Sequence, residues 1–116
     1  MAGLRGIAEV EVNLKKITAK QLRRVIIATE MTQTQIVAEA KTNHPYTDRT
    51  GDLTRSIDKG RVIETRNSIS AEVVATMHYA SYVEEGTSRS APYPYLLPAI
   101  EKNKGFYRRQ MAKALR

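Results

Sequence analysis

The chain has 116 residues, no cysteine, and a formal net charge of +7 from 19 Lys and Arg against 12 Asp and Glu. That length sets a single domain, residues 1–116, with a thin core and much surface left for partners. A disulfide framework, a thiolate zinc site and a thiol nucleophile are excluded, and no apolar run approaches the roughly 18 residues that span a bilayer.

The first residues, Met1-Ala-Gly-Leu-Arg-Gly6, lack the long apolar stretch of a signal peptide. The expected place of work is therefore the cytoplasmic side, or a particle assembled there. From Ile7 to Leu14 the chain alternates, with Ala8, Val10, Val12 and Leu14 on one face and Glu9, Glu11 and Asn13 on the other. This predicts a half-buried strand. Thr18 and Gln21 then stand at capping-box spacing, with Ile17 and Leu22 at the two staple positions. The helix they open carries Leu22, Val25, Ile26, Thr29, Ile36, Val37 and Ala40 at helical spacing. Its waist, Thr29 to Gln35, is polar, which suits either a helix packed against something other than its own core or, the favoured reading, a wet face.

Asn43 to Gly51 is a loop by composition, and Pro45 turns His44 away from helix. Leu53 to Ile57 predicts a short helical turn. Asp58–Thr65 and Ile69–Thr76 predict a hairpin joined around Arg66-Asn-Ser68, with Gly60 marking a bulge or an edge. Tyr79 to Glu85 fits a short helix stopped by Gly86, which is free to take positive φ. After a loop from Thr87 to Tyr93, Pro94 or Pro98 is placed to open a last helix with Ile100, Tyr107, Met111, Ala114 and Leu115 as its apolar stripe. The fold class is α+β: a small antiparallel sheet packed by two long helices, with short helices, long loops and open sheet edges.

The residues offer little chemistry. His44 and His78 are scattered, so no metal site is expected. Glu84 and Glu85 are helix neighbours that point apart and cannot share a substrate. Neither a Gly-x-Ser-x-Gly elbow nor a phosphate-binding glycine loop is present. No catalytic residue and no cofactor is expected, and the chain does not read as an enzyme.

Charge and aromatics are the informative classes. From Glu101 to Arg116 six cations stand against one carboxylate, a net +5. Four of the six tyrosines, Tyr79, Tyr82, Tyr93 and Tyr95, cluster where Arg89 is the one cation. Single-strand stacking platforms need aromatics inside a basic groove, whereas aromatics depleted of charge are the composition of an interface core. Tyr79 and Tyr82 suit a monomer core as well as an interface; Tyr93 and Tyr95, flanking prolines, suit an interface better.

Three ordered blocks complete the reading: Thr50-Gly-Asp-Leu-Thr-Arg-Ser-Ile57, Tyr79-Ala-Ser-Tyr-Val-Glu-Glu-Gly-Thr87 and Ala91-Pro-Tyr-Pro-Tyr-Leu-Leu-Pro-Ala99. Over residues 18 to 116 the set resembles the gene-product-ten-like minor tail family of tailed bacteriophages, departing from it at Leu97, where many relatives carry a basic residue. The resemblance implies a structural virion protein: a neck, tail-completion or tail-terminator component in a homo-oligomeric ring, with six copies favoured. Its implied partners are further copies of itself, head-closure or connector proteins and tail-tube proteins. Genome DNA would pass through without sequence-specific binding, and assembly would take place in the host cytoplasm. Subunit-interface candidates are Tyr79, Tyr82, Glu84, Tyr93 and Tyr95, with Glu84 expected to pair with a cation. Lys102, Arg108, Arg109 and Lys113 are expected to face a neighbouring ring or solvent. The competing reading is a small basic nucleic-acid-binding module gripping phosphates with the last helix.

Overall fold

The computed structural model describes residues 3–12, 15–44, 51–88 and 91–116. The elements run β1 (Leu4–Glu11), α1 (Ala19–Thr42), α2 (Asp52–Ser56), β2 (Ile57–Glu64), β3 (Ser68–Ala75), α3 (Ala80–Glu85) and α4 (Leu96–Ala114). The three strands form one antiparallel sheet in the order β1-β3-β2. The α+β expectation holds, with the hairpin and short helices close to their expected bounds.

Central β3 supplies the floor of the core. Ile69, Ala71, Val73 and Ala75 alternate onto one face and are fully buried or nearly so, as its sequence pattern requires. β1 starts and ends earlier than its alternation indicates, because its pairing with β3 stops at Glu11↔Ser68, where the hairpin turn begins. Asn13 and Leu14 lie outside the described residues.

α1 and α4 pack antiparallel over this face, α4 also against β1 and α1 against β2 and β3. Side-chain bonds fix the sense: Gln21 reaches the Leu115 carbonyl at one end, and Lys102 reaches Glu39 at the other. Gly6 permits the close approach of α4 to β1, since a Cβ there would stand 2.3 Å from Ile100 Cδ1. The capping box at α1 is complete. The Gln21 N–H donates to Thr18 Oγ1 at 3.1 Å and the Thr18 N–H donates to Gln21 Oε1 at 2.9 Å.

The polar waist of α1 is a correction. Thr34 and Gln35 are exposed, but Thr29, Thr32 and Gln33 are buried. The reason lies in what they meet. The pairing of β2 with β3 slips by one residue between Lys59 and Val62, the bulge foreshadowed by Gly60. A bulge leaves ladder carbonyls unpaired, and Gln33 Nε2 serves those of Gly60 and Arg61 at 3.2 Å and that of Glu72 at 2.9 Å. Thr29 meets the Tyr107 hydroxyl at 2.9 Å, and that hydroxyl donates to the Ile69 carbonyl at 3.0 Å. An apolar waist would strand these groups.

The last helix also differs in detail. Leu96 is its first residue, so Pro98 is the third, where an N–H likewise has no acceptor within the helix. Gly86 does adopt positive φ, at 79°.

Candidate assembly surfaces

The junction of α3 with α4 is built around Glu84. α4 opens with Tyr95 at its N-cap, no capping side chain of its own and no acid in its first turn. Its first N–H groups and the positive end of its dipole therefore lack a local partner. Glu84, from α3, supplies one. Its Oε1 accepts from the Tyr95 N–H at 2.9 Å and the Leu96 N–H at 2.7 Å, while Oε2 accepts from the Leu97 N–H at 3.1 Å. The intervening loop is held a second time by the Tyr93 N–H donating to the Val83 carbonyl at 2.8 Å. Glu84, expected from sequence to pair with a cation of this or a neighbouring subunit, has both oxygens engaged by main-chain groups of its own chain.

The tyrosines divide. Tyr95 is 1 % exposed and its hydroxyl donates to the Ala80 carbonyl at 2.9 Å, so it belongs to the chain's own core. That departs from the interface expectation, because the N-cap of a packed helix points its side chain under α3. Tyr79 is half-buried against the core, edge-on to His78 at 5.0 Å between centroids. Tyr82 and Tyr93 are 56 % and 46 % exposed, and Leu97 is 58 % exposed. An apolar groove of about 280 Å³ lies between β1 and the start of α4, lined by Leu4, Gly6, Pro94, Leu96, Leu97 and Ile100 together with the charged Arg5, Glu84 and Glu85. Arg89, the cation of the aromatic cluster, lies outside the described residues.

The four basic candidates also part company. Lys102 pairs with Glu39 on α1 at 3.0 Å. The hydrogen bond from Lys102, then that from Asn43, holds the Glu39 carboxyl below its ordinary range. Arg108 stands beside Ile7 and Glu9 at a shallow pocket on the β1 side. Arg109 and Lys113 are exposed, Lys113 in the last turn. At that end the fold adds cations that the sequence reading left out. The Gln21 Nε2–H donates to the Leu115 carbonyl at 3.0 Å, and Arg24 donates to the Arg116 carbonyl at 3.3 Å. Lys20, Arg23 and Arg24 of α1 are thereby brought beside Lys113 and Arg116, all five exposed. The signal was there, as cations one turn apart at the start of an amphipathic helix, but pairing this end with α4 needs the tertiary structure.

Glu72 was also missed. It faces away from the core, yet its side chain is only 5 % exposed, between Arg5 at 3.1 Å and Arg61 at 3.6 Å. Its Oε1 also accepts from the Arg61 N–H at 3.0 Å. That hydrogen bond, with the two guanidinium charges, outweighs burial and holds the carboxyl below its ordinary range. Among the described residues no group of His, Asp and Glu is arranged to hold a metal ion.

Residues 8–86 match the model of a family described as "Bacteriophage HK97-gp10, putative tail-component". The chain belongs to the HK97-gp10-like family. The match takes in the Thr50–Ile57 block and all of the Tyr79 block but Thr87, and ends before the Pro-Tyr-Leu-Leu-Pro block. No curated protein and no solved structure matches. This HK97-gp10-like chain is accordingly a phage tail component with a structural role in the virion, from a family not known for enzymes. Among its described residues no helix is long and apolar enough to cross a membrane.

Proposed function

We propose that this chain forms a closed ring at the junction of head and tail, as a neck, tail-completion or tail-terminator component, with six copies per ring. The observation that carries the reading is the apolar groove lined in part by exposed Leu97, with Tyr82 and Tyr93 also exposed and with a small sheet whose outer strands β1 and β2 each have one edge unpaired among the described residues. Large apolar side chains clustered with little charge form interface cores, and unpaired strand edges are templates for another chain. A ring follows where two different patches of one chain meet head to tail and the rotation closes. Tyr82 and Tyr93 are then contact residues, Tyr79 and Tyr95 support them from beneath, and Glu84 fixes the loop that presents Tyr93. One face of the ring would meet a head-closure or connector protein and the other the tail tube. DNA would pass through the bore without sequence-specific contact.

The test is light scattering on the purified protein, together with electron microscopy of particles from a phage lacking this gene. Rings of fixed copy number, and heads and tails that fail to join without the protein, are the expected results. The cationic end favours one rival, a nucleic-acid-binding module. A monomer that holds DNA tightly at low salt and releases it steeply as salt rises would replace the ring reading with that one.

A further inference from the structure

The end of the molecule where α1 begins and α4 finishes is unlike the rest of its surface. From Val12 to Thr29, and again from Lys102 to Arg116, the sequence contains no Asp or Glu. The fold brings the ends of these two segments together through the bonds from Gln21 to Leu115 and from Arg24 to Arg116. Lys20 and Arg23 stand in the first turns of α1, which has no acid there. Cations at the positive end of a helix dipole weaken the helix, so local stability does not account for them.

We propose that this end docks onto an acidic, partly apolar face of a different virion protein. The inference rests on the ring reading and identifies the surface that meets a neighbouring component. Three observations select the partner. First, Ile27 and Met31 follow Arg23 and Arg24 along the side of α1 turned away from the core, at 57 % and 44 % exposure. Phosphate binding needs only cations and hydrogen-bond donors, whereas apolar residues continuous with a charged rim are the anatomy of a protein interface. Second, no aromatic stands between Lys20 and Arg24 or between Lys113 and Arg116 in the sequence to interleave with these cations as a stacking platform requires. Third, charge favours a partner other than a second copy: every copy carries a net +7, and five of its twelve side-chain carboxylates are already engaged within the chain, Glu39, Asp52, Glu72 and Glu101 by its own cations and Glu84 by the start of α4.

The experiment compares two variants of the full chain in rescuing a phage that lacks the gene. One carries Lys20→Glu and Arg23→Glu, and the other Ile27→Ser and Met31→Ser. Melting temperature, self-association by light scattering and binding to a short DNA duplex are measured on the same preparations. Both variants should fold and self-associate as the wild type does, bind the duplex no differently in the apolar variant, and cut the yield of joined particles by about tenfold or more, as loss of a charged or apolar contact at an interface does. A neutral pair, Lys20→Gln and Arg23→Gln, is run alongside in case the reversed charges prevent folding. Full rescue by both variants overturns the proposal. So does loss of self-association in either, which would make this an interface between copies. Full rescue by the apolar variant, with loss of DNA binding and of rescue in the charge variant, assigns the end to phosphates instead. If heads and tails join without the protein at all, the ring reading falls and this inference with it.

Discussion

Glu84 accepts a hydrogen bond from the main-chain N–H of Leu96 at 2.7 Å, so the last turn of α3 caps the first turn of α4. The motif glutamate and the proline-aromatic block that follows it are thus two halves of one device. A carboxylate bonded to three N–H groups fixes where α4 begins, and with it the loop that carries Tyr93.

Replacing Glu84 by alanine should cost about 1–3 kcal/mol, the usual effect of removing a charged acceptor from a helix start. Glu84→Gln keeps one oxygen for the N–H groups and gives up the charge facing the dipole, so about 0.3–1 kcal/mol is expected. Urea unfolding measures both. An alanine variant with the wild-type midpoint would show that water caps α4 equally well.

Gln33 is expected to be more sensitive than its position in a polar run indicates. Gln33→Leu keeps the bulk but strands the carbonyls of the bulge, at about 1–3 kcal/mol. Gln33→Glu places a carboxylate against three carbonyl oxygens, which raises its pKa by burial and repulsion. That variant should be least stable at neutral pH and recover in acid, where a protonated carboxyl donates again. Equal instability at both pH values would contradict the assigned bonds.

Gly60→Ala should act through Glu72. The new Cβ would lie 2.5 Å from Glu72 Oε1 and 2.7 Å from its Cγ, displacing the side chain from Arg5 and Arg61. A loss of about 1–3 kcal/mol is expected, as for overpacking. In a Glu72→Ala background the same change should cost much less, and a double-mutant cycle reads the difference. Strict additivity would mean that the glycine serves the backbone alone.

Stability should fall at both ends of the pH scale for identifiable reasons. The Glu72 carboxyl is held below its ordinary 4.5, so its contribution is complete above that value and is lost as pH falls through the depressed one. Tyr107 is shifted the other way, from 10.0 to about 12, chiefly by burial and against the hydrogen bond from Thr29. Its contribution is complete below pH 10.0 and is lost as pH rises toward about 12. Glu72→Gln should flatten the acid limb of the unfolding curve, and Tyr107→Phe the alkaline limb. Unchanged limbs in both variants would place the titrating groups elsewhere.

The elements and fold class were legible in the sequence because they rest on local rules. The capping box at Thr18 and Gln21, the alternation of β3, the bulge at Gly60 and the positive φ of Gly86 all depend on near neighbours. The family, too, could be read from ordered blocks of residues. What the tertiary structure alone decided is where polar side chains go. Thr29 and Gln33 sit in a polar run, yet they are buried because a tyrosine and a bulge, both distant in sequence, present groups to be satisfied there, while buried Thr32 turns its hydroxyl back onto the Ala28 carbonyl of its own helix. The hydrogen-bond partners of Glu84 and Tyr95 cannot be read until α3 and α4 are seen to meet, and the cationic end reads as half its size until α1 lies against α4. Propensity and periodicity report a residue's neighbours along the chain, while hydrogen-bond partners and clustered charge depend on which elements the packed core brings together.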